Sequence, residues 1–125
     1  MPAARSIAVL VVDDQQTMRA MARQVLKQLG VIDVALAASG EAALDQMMSR
    51  RFDVVISDLN MPGLSGAELA QKIKAHPVLK GVPFFLATSN AYRDQQNDCI
   101  DHFVAKPFVV PELRAALEAH LGKLS

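Results

Sequence analysis

The chain reads as a doubly wound α/β domain built on a five-stranded parallel sheet, and three observations predict it. Short apolar runs alternate with segments of helical spacing along the whole sequence. Most of these runs are continuously apolar rather than alternating, the pattern of strands covered on both faces. The 125 residues, 51% apolar and 21% charged, suit one globular domain with a sizeable core. Five runs against about five helical segments give the repeating βα unit of such a sheet, and no linker, repeat or low-complexity stretch divides residues 1–125.

The strands are expected at Ile7–Val12, Val34–Ala37, Phe52–Ser57, Val82–Ala87 and His102–Ala105. Between the first two, Met18, Met21, Ala22, Val25 and Leu29 share one face of a helix that Gly30 is placed to end. Ala43, Leu44, Met47 and Met48 form the apolar stripe of a second helix. Leu69, Ala70 and Ile73 form that of a third, opened by the capping-box sequence Ser65-Gly66-Ala67-Glu68. Leu113, Ala116, Leu117 and Leu121 mark the last, with Pro111 suited to its first turn. The polar stretch Asn90–Ile100 has no clear stripe and predicts a short or irregular fourth helix, or a loop.

Composition excludes several functions. Thirteen basic and thirteen acidic side chains cancel, so no global charge draws the protein to nucleic acid or to an anionic membrane. Cys99 is alone, so no disulfide framework exists within the chain and a reducing compartment fits. No segment approaches the roughly twenty apolar residues of a membrane span, and the apolar run Ile7–Val12 is too short for a signal peptide. A cytoplasmic protein is expected. His76, His102 and His120 lack metal-ligand spacing, and Cys99 reads as a half-buried small hydrophobe.

The acids are the informative residues. Asp13 and Asp14 follow the first strand and Asp58 follows the third. Parallel strands end at one edge, where open α/β sheets bind ligands, and in a flavodoxin-like order strands one and three are neighbours. Three carboxylates gathered there repel, each close pair by roughly 4 kcal/mol at about 4 Å under an effective dielectric near 20. A proton or a cation must answer them. All-oxygen ligands suit Mg²⁺, which prefers carboxylates together with phosphate oxygens. Lys106 and Thr88, at the ends of the fifth and fourth strands, add an ammonium and a hydroxyl. Together these groups suit a phosphoryl group.

The pattern Asp13-Asp14, Asp58, Thr88 and Lys106-Pro107-Phe108, each after its own strand, resembles the receiver domains of two-component response regulators. The likeness covers essentially the whole chain and is nearest the stand-alone, chemotaxis-receiver type, since nothing follows Ser125. The strand order 2-1-3-4-5 is known for flavodoxin and the chemotaxis receiver and is carried over from them. The resemblance implies that Asp58 is the phosphoacceptor, attacking a phosphohistidine on a histidine kinase or phosphotransfer protein. It implies that Asp13, Asp14, Asp58 and the backbone carbonyl of Asn60 bind Mg²⁺, and that Lys106 shares in neutralising the transferred oxygens. It further makes Thr88 and Phe103 the switch pair that alters the surface offered to a downstream protein, and the Lys106-Pro107 peptide cis. Two departures stand out. The interval from Thr88 to Lys106 is several residues shorter than usual, where the family's fourth helix falls, and Phe103 has no hydroxyl where some relatives carry tyrosine.

Plainer readings exist for each residue. Asp13 and Asp14 can cap a helix, Asp58 can be a turn acid before Met61-Pro62-Gly63, Thr88 can open an ordinary loop, Lys106 can be a solvated surface group, and Phe103 can be simple core. Two other functions compete with the phosphoacceptor. A pseudo-receiver with a silent site would draw support from the irregular Asn90–Ile100 stretch. A Mg²⁺-dependent phosphatase would use Asp58 as nucleophile, but that chemistry usually needs a carboxyl two residues on, and Asn60 cannot donate and regain a proton. No P-loop or Gly-x-Gly-x-x-Gly run supports a nucleotide enzyme.

Overall fold

The structure, a computed structural model, describes residues 3–89 and 98–124. After a 3-10 turn at Ala4–Ser6, the elements run β1 (Ala8–Val12), α1 (Gln16–Gln28), β2 (Asp33–Ala37), α2 (Gly40–Ser49), β3 (Val54–Asp58), α3 (Gly66–Ala75), β4 (Phe84–Thr88), β5 (His102–Ala105) and α4 (Val110–Leu121). The five strands form one sheet in the order β2-β1-β3-β4-β5, every pair parallel. The expected fold class and strand order are therefore present. Among the described residues there are four α-helices. The additional helix or loop expected over 90–100 falls on a stretch of which 90–97 lie outside the described residues.

The sheet is buried on both faces, which is why its strands are continuously apolar. Alternate residues serve opposite cores. Val9, Val11, Val54, Ile56, Phe85, Ala87 and Val104 face α1 and α4, joining Leu26, Leu113 and Leu117. Leu10, Val12, Val55, Phe84 and Leu86 face α2 and α3, joining Ala43, Met47, Leu69 and Ile73. The helix ends follow their local chemistry. Ser39 accepts the Ala42 N–H at 3.1 Å to open α2. Ser65 and Glu68 form the complete capping box at the start of α3, with bonds of 2.9 and 3.1 Å. Gly30 supplies the left-handed turn after α1, with φ +91°, and Pro111 lies in the first turn of α4.

Two helix stripes are corrected. Met21 is 42% and Met48 is 62% exposed. The line that α1 buries is Ala22 and Leu26, continued by its C-cap Leu29, and α2 buries Ala43 and Met47. At 100° per residue a neighbour of the stripe points well away from it, and the apolar character of methionine does not reveal which side it takes. Strands β3 and β4 each run one residue further than expected, so Asp58 and Thr88 are the last residues of their strands. No helix among the described residues is long and apolar enough to cross a membrane.

Candidate functional site

Val12 pairs with Ser57, Asp58 with Ala87, and Thr88 with Ala105, so the sheet register itself carries the ends of β1, β3, β4 and β5 to one edge. Asp13 leaves β1 with its N–H donating to the Ala37 carbonyl at 3.0 Å, and it is 3% exposed. Its Oδ1 accepts the Gln15 N–H at 2.9 Å, a bond within the turn before α1; the helix N-cap is Gln15, with no side-chain cap bond, so neither acid caps α1. Its carbonyl accepts Arg19 Nη1 at 2.7 Å. Asp14, the next residue, is exposed.

Asp58 is held at the rim by its own strand and by a tightly folded β3–α3 loop. Gly66 donates to the Leu59 carbonyl at 2.8 Å. A Cβ on Gly66 would collide with the Asp58 carbonyl oxygen and come within 2.8 Å of Leu86 Cδ1, so only glycine fits beneath the acid. Gly63 turns the loop with φ +76°. Ser57 Oγ donates to the Asp58 carbonyl at 2.9 Å. Asn60 lies exposed in the same loop.

Lys106 joins these parts. Its Nζ donates to Asp58 Oδ1 at 2.9 Å and to Asp13 Oδ2 at 3.3 Å, with the Lys106, Asp58 and Asp13 side chains only 16%, 12% and 5% exposed. It is therefore no solvated surface lysine. Burial alone would push its ammonium toward deprotonation, but the bond and charge of Asp58, then of Asp13, hold its pKa above the ordinary value. Its backbone N–H bonds the Thr88 carbonyl at 3.2 Å, which sets buried Thr88 beside it. The Lys106-Pro107 peptide is cis, as the resemblance implied. Phe103 is partly buried against the core of the α2 and α3 face.

Oxygen atoms of Asp13, Asp14 and Asp58 lie within 4.8 Å of one another. One ammonium against three carboxylates leaves the cluster short of positive charge, and a donor set made only of oxygen suits a hard divalent cation. Asp14 is the exposed member of the three. Arg19 and Ser57 were not legible in the sequence, since neither the six-residue step from Asp13 nor a serine inside an apolar strand marks a site. A cavity of about 660 Å³ lies at the opposite edge among Met47, Phe52, Leu79 and Pro83 and holds none of these residues. Chemistry, and not concavity, identifies the rim.

Comparison with known proteins agrees with this geometry. A family model described as the response regulator receiver domain matches residues 9–118. The chain is 35% identical over 114 residues to the chemotaxis protein CheY of Pseudomonas aeruginosa, covering 88% of this chain and 92% of that one. Among solved structures, the chemotaxis response regulator CheY4 of Vibrio cholerae superposes with a TM-score of 0.81 at 30% identity, covering 92% of this chain and 98% of that one. The response regulator TrrA of Thermotoga maritima, in complex with Mg²⁺-BeF, gives 0.82 at 32% identity, covering 92% and 99%.

Proposed function

Because the chain belongs to the response regulator receiver domain family, we propose that residues 1–125 form one receiver whose Asp58 accepts a phosphoryl group from a phosphohistidine on a histidine kinase or phosphotransfer protein. The observation that carries this reading is the meeting of Asp13, Asp14 and Asp58 at one rim, with Lys106 paired to Asp13 and Asp58. A carboxylate oxygen of Asp58 attacks phosphorus, the P–N bond breaks, and the histidine nitrogen keeps the electron pair. The product is an acyl phosphate on Asp58.

Asp13, Asp14, Asp58 and the Asn60 carbonyl would hold Mg²⁺, the ion in the TrrA complex. When bound, it supplies positive charge to the transferred oxygens. The other steps fall to the chain. Lys106, fixed 2.9 Å from Asp58 Oδ1, orients the nucleophile and moves its ammonium onto a phosphoryl oxygen as charge passes there. Its raised pKa keeps it charged. Thr88 bonds another phosphoryl oxygen, and Phe103, half-buried on β5, follows that hydroxyl inward and changes the surface a downstream protein meets. Without a tyrosine hydroxyl, this switch is read by ring burial alone. The chain performs its own phosphorylation and dephosphorylation and turns over no outside substrate, since Asn60 provides no general acid.

Intact-mass spectrometry tests this directly. With Mg²⁺ and acetyl phosphate, one labile phosphoryl group is expected on the wild type and none on Asp58→Asn. Addition that persists in the variant would move the acceptor elsewhere.

A further inference from the structure

We infer that Arg19 is a positioning residue of the metal site: it pins the peptide between Asp13 and Asp14, so that Asp14 is aimed before a cation arrives. The inference rests on the Mg²⁺ reading above and extends it to a residue outside the ligand set.

Asp13 is fixed at every polar group. Its N–H donates to Ala37, its Oδ1 accepts from Gln15, its Oδ2 from Lys106, and its carbonyl from Arg19 Nη1 at 2.7 Å. Asp14 differs. It is exposed, and among the described residues its side chain has no hydrogen bond or ion pair of its own, so only its backbone aims it. The Asp13 carbonyl and the Asp14 nitrogen belong to one rigid planar peptide unit. Holding that oxygen therefore holds the Asp14 nitrogen and Cα. Arg19 does so from the first turn of α1, half-buried, and forms no ion pair among the described residues. Its fork is directed at a backbone carbonyl and not at a carboxylate.

A second role for the same guanidinium has the opposite sign. As a mere counter-charge to the acids, Arg19 would repel an incoming cation, and its loss would tighten Mg²⁺ binding. As a positioning residue, its loss weakens binding. Calorimetric titration of the metal-free chain with MgCl₂ separates the two, with urea unfolding in EDTA confirming that each variant is folded. Arg19→Ala and Arg19→Gln are expected to raise the Mg²⁺ Kd about tenfold, the low end for outer-shell partners. Arg19→Lys, which keeps the charge and one donor, should recover part of the loss; a purely structural effect would lower the unfolding midpoint and leave the Kd alone. Unchanged or tighter binding in the neutral variants, with wild type binding and Asp14→Asn weakened, overturns the inference and spares the metal reading. A wild type that binds no Mg²⁺ overturns both.

Discussion

Replacing Lys106 by methionine tests the electrostatics of the rim most sharply. The substitution keeps the length of the apolar stem and removes a charge lying 2.9 Å from Asp58 and 3.3 Å from Asp13. At an effective dielectric near 20, each attraction is worth about 5 to 6 kcal/mol gross. What remains is three carboxylates with oxygens inside 4.8 Å, each pair repelling by about 3.5 kcal/mol at that separation. Relief of the ammonium's own desolvation offsets part of the loss, and removing one partner of a buried pair typically costs about 3 kcal/mol or more. Lys106→Met should therefore lose about 3 kcal/mol in metal-free buffer, a fall in melting temperature of roughly 10 °C for a domain of this size. Urea unfolding in EDTA measures it. Adding Asp58→Asn removes two of the three acid pairs, so the double variant should regain much of the loss, and the cycle should show strong coupling. A Lys106→Met protein with the wild-type urea midpoint would refute the clustered-acid reasoning.

Three further outcomes are expected. The half-buried ring of His102 packs 5.4 Å from both Phe85 and His120; burial, then the charge of His120, lowers its pKa from 6.5, with Glu112 opposing. The folded chain thus binds this proton less readily than the unfolded one. The stability it contributes is complete above about pH 6.5 and is lost as pH falls toward the folded value. His102→Phe should flatten that part of a stability–pH curve measured by urea midpoint, while leaving the loss at lower pH from Asp33 and Glu68, whose pKa values are lowered from 3.8 and 4.5. Ser65→Ala removes the hydroxyl that accepts the Glu68 N–H and should cost about 1 kcal/mol in thermal or urea unfolding; an unchanged midpoint would show that the cap adds nothing. Gly66→Ala forces a methyl group against the Asp58 carbonyl and Leu86 and should cost about 2 kcal/mol or more, with slower acetyl-phosphate labelling in the mass assay because the backbone of Asp58, the proposed acceptor, must shift.

The sequence by itself determined the layered architecture, since unbroken runs such as Val54-Val55-Ile56 can be satisfied only where both faces of a strand are covered. It also determined which groups stand at the rim. Asp58, Thr88 and Lys106 each close an apolar run, and a charge or hydroxyl at that point marks where a strand reaches solvent. The Ser65–Glu68 cap was equally readable, because every atom involved lies within one helical turn. It misassigned Met21 and Met48, because hydropathy alone does not fix which side of a helix meets its neighbours. Only the tertiary structure decided the rest. The 48-residue step from Asp58 to Lys106 becomes 2.9 Å through strand register, and the bond from Arg19 to the Asp13 carbonyl depends on where α1 settles against the sheet. The contact of His102 with Phe85 follows from the β4–β5 register, and the contacts of both rings with His120 depend on how α4 docks. The physical reason is one of range: propensity, capping and hydropathic period act over a few neighbouring residues, whereas ion pairs and ring contacts act across space, and only packing decides which distant residues share it.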